Sequence, residues 1–520
     1  MVSAILLKDQ YHSQLALDYC KIKIITIMKI KILNILILLK VSVVMFTSCN
    51  DWLDVRPTDR VLEDEMFESQ KGYQTALNGI YIELNSNTLY GSNLSVGMVD
   101  VMAQYYKVKG NADHSLALYG EYSYAQAGSK ARFDDIWRKS YQVIFNINTI
   151  IEKTKADPNV LSEDFREIIL GECYALRAMM HFDLLRLFGP IYQLESQKEA
   201  IPYQKGIEFN IENLLSANDV IKEILADITL SETHLSNDPV LENGSTFEPA
   251  EDGSVRFSYR QQRMNILATK ALKARVYLWS GNTQEALAAA KEVISKTHET
   301  DPMLFPFSDY ADITSTAYPD RIFSSEILFG HYNSRRSDIF RLLFNSALSE
   351  YGILTMFEER IEDMFDDDND FRKKFWRLEN VDSREVYVFS KYEDIAITGT
   401  DINSLRFDVM VKNIVPAFRM SEMYLIAAEA TNDITEAVTY VNAVRNARNC
   451  LSIQFTEEEK ERVLSNEYLR EFLGEGQMFF YYKRKEYKNL PNGGSPTTTF
   501  NMDLTNYVLP LPDSEISQRN

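Results

Sequence analysis

Histidine and cysteine are scarce in this chain, and the few present are scattered. The six histidines stand at positions 12, 114, 181, 234, 298 and 331 of 520 residues, with no cluster. Four cysteines, Cys20, Cys49, Cys173 and Cys450, form no C-x-x-C pair, so neither a zinc site nor a dithiol redox centre is indicated. Cys173 lies on an apolar helical face and reads as a small buried hydrophobe, and nothing supports a Cys173–Cys450 disulfide. His181, inside the same helical pattern, reads as structural. H-E-x-x-H, G-x-S-x-G, G-x-x-x-x-G-K-[ST] and G-x-G-x-x-G are all missing, which removes the common signatures of zinc proteases, serine hydrolases and nucleotide binders. Tertiary proximity can still gather a site, and a glycoside hydrolase needs only two well-placed carboxylates.

Basic charge is also in deficit. Lys and Arg total 55 against 75 Asp and Glu. The first 48 residues hold six Lys and two Asp, so the remaining 472 carry a formal charge of −24. Such a surface repels phosphate backbones and excludes nucleic acid as the expected partner. Hydrophobic content of 45% is that of a folded globular protein.

After Cys49 no apolar run is long enough to span a bilayer. Before it, residues 28–46 are basic and then apolar, with Lys29 and Lys31 leading and Asn34 and Lys40 interrupting. This run is too short and broken for a membrane span. It ends in Thr47-Ser48-Cys49, the pattern of a bacterial lipoprotein signal cleaved before a lipidated Cys49. Phe46 stands where Leu is usual. Residues 1–27 are too long for the start of a signal, which makes Met28 the expected first residue. Several acyl chains on Cys49 give a stable tether without a transmembrane helix. The expected organisation is a signal region over 1–48 and one body over 49–520, its parts 49–300 and 301–520 contributing to one scaffold.

Helical periodicity dominates that body. Helices are expected over 68–84, 133–153 and 161–187. In the last, Phe165, Ile169, Cys173, Leu176, Met180, Leu184 and Leu187 recur at steps of three and four, a core-facing stripe, and Gly189-Pro190 ends it. Segments 268–294 and 417–448 read as two copies of one helix pair. Their turns are Ser280-Gly281-Asn282 and Thr431-Asn432-Asp433, each followed by a Glu-Ala pair, Glu285-Ala286 and Glu436-Ala437. Small residues at matching positions mark a tetratricopeptide-like unit, and residues 141–187 suggest a further pair. A last helix is expected over 457–474. Residues 85–130, 191–203, 237–258 and 301–416 read as loops with short strands, 255–258 and 385–389 among them, and the chain ends in an extended Leu509-Pro510-Leu511-Pro512 segment. The expected fold class is all-α, a helix-pair scaffold with a large loop-rich portion, and loops on a rigid scaffold are where binding sites lie.

Two loop features carry candidate chemistry. The acidic run Asp366-Asp367-Asp368-Asn369-Asp370 has oxygens spaced for a hard cation, but Phe371 replaces the required glycine and Arg377 the closing glutamate, so a solvated turn is expected. Residues 85–130 hold Tyr90, Tyr105, Tyr106, Tyr119, Tyr122 and Tyr124 among Gly, Ser and Asn, with no helical stripe to explain them. Flat rings on a loop stack on sugar faces. Tyr105, Tyr106, Tyr119, Tyr122, Tyr124 and Asp100 are therefore ligand candidates, with Trp376 a further aromatic and Gln104 and Asn111 as added polar contacts. The alternative is that the tyrosines anchor a long loop to the scaffold.

Several ordered segments together carry a resemblance. They are Leu53-Asp54-Val55-Arg56-Pro57 after the cysteine, Leu77-Asn78-Gly79-Ile80-Tyr81, the series Trp137, Tyr141, Ile144, Asn146, Ile150, and Gly171-Glu172-Cys173-Tyr174-Ala175-Leu176-Arg177-Ala178 running into Leu187-Phe188-Gly189-Pro190. Arg419, Glu422, Tyr424, Leu425 and Ala428-Glu429-Ala430 follow, then Val441-Asn442-Ala443-Val444-Arg445 and Leu509-Pro510-Leu511-Pro512 with Glu515-Ile516. The order resembles the SusD/RagB family of starch-binding-like outer-membrane lipoproteins. Glu471-Phe472 and Gly474-Glu475-Gly476-Gln477 also resemble a family stretch, but Met478 and Tyr481 stand where many members have an Arg and an Asp, a difference taken as one of packing. The resemblance implies a tetratricopeptide-like fold and a non-catalytic protein without cofactor. It also implies a place on the outer leaflet as the lid of a SusC-type TonB-dependent transporter, capturing oligosaccharides or other nutrients. The loop after Tyr81 contributes to the ligand site in starch-binding members; no individual ligand residue carries over. A scaffolding lipoprotein without a small ligand, a peptide-binding member and a lipid-anchored hydrolase are the competing readings.

Overall fold

The apolar stripe that begins at Phe165 becomes the helix around which the others pack. In the computed structural model, which describes residues 63–519 apart from 209, 246–257 and 398, this helix runs Glu163–Phe188. Its predicted stripe is buried, and so are the polar residues on its other faces, Glu172, Arg177, His181, Asp183 and Arg186. Each of these is paired. Arg177 donates two hydrogen bonds to Asp227 at 2.7 Å, and Tyr81 donates to Glu172 at 2.7 Å. A helix covered on all sides can keep ionised groups only with such partners.

The long helices are α1 (Gln70–Leu84), α2 (Ala127–Ala156), α3 (Glu163–Phe188), α4 (Ala217–His234), α5 (Ile266–Trp279), α6 (Thr283–His298), α7 (Met420–Ala430), α8 (Ile434–Ala447), α9 (Glu457–Phe472), α10 (Met478–Arg484) and α11 (Asp513–Arg519). Consecutive members from α2 to α8 pack on one another, with α9 against α7 and α8. Residues 67–520 form one unit; of those before it, the single turn Glu63–Met66 is described.

The two expected helix pairs are α5–α6 and α7–α8. Their turns use the same device. Asn282 accepts the Glu285 N–H at 3.3 Å and Asp433 accepts the Thr435 N–H at 2.8 Å, which satisfies free donors at each helix start. Gly281 takes φ +77°, a conformation that favours glycine. Ala286 and Ala437 are fully buried, letting the helices approach. One boundary differs from expectation: residues 417–419 belong to a strand, Ile414–Arg419, because this stretch pairs with Ile327–Tyr332. Helix α4, which packs along α3, has no counterpart among the expected elements.

The strands form only two-stranded antiparallel ladders among the described residues: Glu199–Ile201 with Leu215–Ser216, Ile327–Tyr332 with Ile414–Arg419, Trp376–Val381 with Arg384–Phe389, and Asn489–Pro491 with Thr499–Asn501. The fold is thus predominantly α with a loop-rich portion over 301–416. The expected strand at 255–258 falls largely outside the described residues. The chain end is not extended throughout; Pro512 leads into α11.

Buried arginines join the helical and loop-rich portions. Arg448 bridges Glu326 at 2.7 Å and Glu471 at 2.6 Å. Arg419 reaches Glu471 at 2.5 Å and Glu475 at 2.9 Å. Arg372 joins Asp370 at 2.6 Å and Glu471 at 2.8 Å. The acidic run is the exposed turn expected, with Asp366, Asp368 and Asn369 exposed, and its buried end joins this system. Asp370 is buried against Arg372, Asp366 lies 3.0 Å from Arg445, and Asp367 accepts the Leu451 N–H at 2.7 Å. Only Asp368 is fully open to solvent. Cys173 and Cys450 are both free and buried, each thiol pushed up by burial, Cys450 to about 12.

Candidate functional site

The tyrosine loop between α1 and α2 folds inward. It contains two single helical turns, Met98–Met102 and Ala117–Gly120. Asp100 is its anchor. The Asp100 carboxylate is fully buried and accepts the Tyr106 O–H at 2.8 Å, the Gly474 N–H at 3.0 Å and the Gly476 N–H at 3.2 Å. Gly474 and Gly476 both have positive φ, +77° and +69°. A Cβ on Gly476 would fall 2.5 Å from the Ser95 carbonyl oxygen, so glycine is required where this turn closes over the carboxylate. Burial pushes the Asp100 carboxyl up to about 7, with the three donors pulling the other way.

Most of the candidate rings are core. Tyr105, Tyr106, Tyr119, Tyr122 and Trp376 are all buried. Tyr105 meets the Tyr482 hydroxyl at 2.7 Å, Tyr122 donates to the Met102 carbonyl at 2.6 Å, and Trp376 packs on Phe389 at 4.8 Å between centroids. Rings held this way have no free face for a ligand, which corrects the expectation for Asp100, Tyr105, Tyr106, Tyr119 and Trp376 in this conformation. The partners of Asp100 and Tyr105 lie more than 370 positions away, at Gly474, Gly476 and Tyr482, where no local periodicity could point to them. Tyr90 behaves alike, stacking on His331 at 4.2 Å.

Tyr124 is placed differently, and the buried Tyr122 stands beside it. They border a cavity of about 720 Å³ together with Gln126, Lys130, Phe188 and the segment Thr505–Leu511. Tyr124 is half-buried and donates to the Asn506 carbonyl at 2.7 Å. The Leu509 N–H donates to the Leu187 carbonyl at 3.0 Å, which pins the far wall to the end of α3. Thus the Leu-Pro-Leu-Pro ending supplies a cavity wall.

A second cavity, about 540 Å³, opens further along α2. Trp137, Tyr141 and Phe145 line it with Pro202, Gln204 and α11. Its loop wall is fixed from below. Tyr141 donates to the Pro202 carbonyl at 2.9 Å, and His181 Nε2 accepts the Gln204 N–H at 3.0 Å. His181 is therefore neutral and structural; burial pushes its pKa down to about 3. No group of three or more His, Cys, Asp or Glu side chains is arranged to hold a metal among the described residues. The deeply buried carboxylates of the arginine network face guanidinium groups and not a cleft. The arrangement offers rings, amides and preformed hollows, which is the chemistry of binding.

The architecture is a helix-pair scaffold with a loop-rich portion and two open cavities along α2. Comparison with known proteins identifies the family. A family model described as starch-binding and associating with the outer membrane matches residues 51–247, and the SusD family model matches residues 411–520. SusD-like protein P38 of Formosa agariphila is 24% identical over 461 residues, covering 81% of this chain and 82% of the relative. SusD-like protein P25 of the same organism is 22% identical over 461 residues, covering 76% and 78%. Among solved structures, a SusD superfamily protein from Bacteroides thetaiotaomicron superposes with a TM-score of 0.68 at 21% identity, covering 86% of this chain and 98% of that one. A SusD-like carbohydrate binding protein from Bacteroides vulgatus gives a TM-score of 0.64 at 15% identity, covering 86% and 96%. The chain belongs to the SusD/RagB family of outer-membrane nutrient-binding proteins, which bind and do not catalyse.

In that light Met478 and Tyr481 are packing residues. Met478 is fully buried, and Tyr481 donates to Glu461 at 2.9 Å. The Glu-Phe and Gly-Glu-Gly stretch before them supplies Glu471 and Glu475 to the arginine network and closes over Asp100.

Proposed function

We propose that this protein is a surface lipoprotein, tethered through acyl chains on Cys49, that captures glycans and passes them to a SusC-type TonB-dependent transporter. Cys49 and its flanking residues lie outside the described residues, so the tether rests on the signal pattern. The observation that carries the glycan reading is the pair of open cavities bordered by the half-buried rings of Tyr124 and Tyr141, with amide and charged side chains on their rims. Aromatic faces with amide and hydroxyl rims match the alternating apolar and polar faces of a pyranose ring. The carbohydrate binding named for the Bacteroides vulgatus structure supports the same ligand class.

The test is a glycan array probed with the soluble chain from residue 50 onward, read for retention and for cleavage. Retention in the micromolar range or weaker, about −8 kcal/mol or less favourable, with no cleaved product, is the expected result. Cleavage would restore the hydrolase reading. Retention of peptides alone would replace the ligand class, and loss of both would leave a scaffolding lipoprotein. The transporter partner is tested separately, by co-purification of the lipidated full chain from outer membranes.

A further inference from the structure

Three side chains in the core carry polar atoms that have no hydrogen-bond partner among the described residues. The atoms are Trp279 Nε1, Tyr468 Oη and both ring nitrogens of His331. All three side chains are more than nine-tenths buried. Trp279, at the end of α5, and Tyr468, on α9, line a hollow of about 40 Å³. His331, on the Ile327–Tyr332 strand, lines one of about 20 Å³. Arg186, Arg275 and Gln477 line both hollows, so the two are neighbours across one layer of side chains. The unpartnered atoms therefore gather around one place, where α3, α5 and α9 meet the Ile414–Arg419 strand.

The charges of the shared wall are matched. Arg275 donates two hydrogen bonds of 2.6 Å to Glu422 and one of 2.7 Å to the Ala417 carbonyl. Arg186 donates to Asp183 at 3.1 Å and to Gln477 Oε1 at 3.1 Å. What is unmet is hydrogen bonding, not charge. The Tyr468 phenol lies within electrostatic reach of Glu429, Arg484, Glu422 and Arg275; burial, with Glu429 next, raises its pKa well above the usual value, so it keeps its proton. The His331 ring stacks on Tyr90 at 4.2 Å and meets Phe329 edge to face at 4.8 Å. Burial pushes its pKa down to about 3, so the ring is neutral. A neutral imidazole calls for one donor and one acceptor, an indole N–H for an acceptor, and a phenol serves as either.

From this geometry we infer that the two hollows form one built site for ordered water, which bridges Trp279, Tyr468 and His331 to the wall of Arg186, Arg275 and Gln477. One water needs about 10–15 Å³ and two to four polar partners, so the smaller hollow takes one and the larger about two or three. The full set of unpartnered atoms calls for a guest that both donates and accepts. A halide accepts from Trp279 and Tyr468, but it leaves the acceptor nitrogen of His331 unmet and lies against Glu422 and Asp183. A cation finds each carboxylate of the lining already engaged by a basic side chain: Glu422 by Arg275, Asp183 by Arg186 and Glu475 by Arg419. Water meets every demand, and it spares these groups the cost of burial without a partner. The site belongs to the core and stands whether or not the protein captures glycans.

The experiment is a crystal structure of the soluble chain from residue 50 onward, with a second crystal soaked in bromide. The expected result is ordered water within about 2.7–3.2 Å of Trp279 Nε1, Tyr468 Oη and at least one nitrogen of His331, and no anomalous bromide peak in either hollow. Tyr468→Phe removes one hydroxyl and keeps the ring. It should lose the nearest water and lower the melting temperature by about 1–2 °C. A dry hollow gives the opposite, because removing an unpaired buried hydroxyl relieves its desolvation. An unchanged or raised melting temperature therefore overturns the inference. So does a bromide peak, which assigns the site to a halide, and so does a crystal structure in which Trp279, Tyr468 and His331 have turned to pair with protein groups.

Discussion

Glu467 offers the sharpest test of what holds the loop-rich portion to the helices. The Glu467 side chain is fully buried on α9. Arg470 lies 2.7 Å away, Arg372 Nη1 lies 2.8 Å from Oε1 in an ionic contact too oblique for a hydrogen bond, and Arg445 lies 3.5 Å away. Burial alone would raise this carboxyl, but the three guanidinium groups outweigh it and bring its pKa down to about 2. The folded value is therefore below the unfolded one, and the stabilisation is present at neutral pH and lost as pH falls from about 5 towards 2. At 1.36 kcal/mol per unit the shift corresponds to about 3 kcal/mol at pH 7. Removing one partner of a buried ion pair independently suggests about 3–5 kcal/mol. Glu467→Gln keeps shape and removes charge. Urea unfolding followed by circular dichroism should place the variant about 3 kcal/mol below the wild type at pH 7. At pH 3.5 the wild type has lost part of its own advantage, and the gap should narrow by about 1 kcal/mol. A gap under 1 kcal/mol at pH 7, or one that does not change with pH, would refute the assignment of Glu467 as an ionised keystone.

Three further outcomes are expected. Gly171→Ala should destabilise by about 1–3 kcal/mol, although alanine normally improves a helix, because its Cβ would fall 2.4 Å from Leu235 Cγ; a rise in melting temperature would contradict that packing. Asp100 has a folded pKa raised to about 7, so its contribution is full below pH 4 and fades as pH rises through 7, by up to about 4 kcal/mol. The stability of Asp100→Asn relative to wild type should accordingly improve between pH 5 and pH 8, and a flat difference would show that Asp100 stays ionised throughout. Cys49→Ser in the full chain should shift the protein from the outer-membrane fraction to the soluble fraction after cell lysis; retention in the membrane fraction would point to an anchor other than lipid on Cys49.

Where the sequence and the structure agree, the signal is local. The stripe from Phe165 to Leu187 is a helix because every third or fourth residue is apolar, and the α5–α6 and α7–α8 turns carry their own caps in Asn282 and Asp433. Helix α4 escaped notice although Val220, Ile221, Ile224 and Ile228 are buried along one face. That i, i+4, i+8 signal was present beside α3. The tyrosines misled for the opposite reason. A ring without a local stripe looks free, yet Tyr105 is held by Tyr482 and Asp100 by Gly474 and Gly476. The acidic run 366–370 is the exposed turn its composition suggests, but the burial of Asp370 and the contacts of Asp366 and Asp367 with α8 and the residues after it depend on segments about 80 positions away.

The sequence by itself determined the address pattern at Cys49, the all-α class, the two helix pairs and the family resemblance, since each is written in neighbours a few positions apart. It also excluded nucleic acid through net charge. Only the tertiary structure decided which aromatics are core and which border open cavities, because burial depends on segments separated by hundreds of residues. It also brought Gln126 and Asn506 to one cavity and Gln142, Gln204, Asn210 and Gln518 to another, because the C-terminal segment crosses α2 there, and no spacing along the chain encodes that crossing.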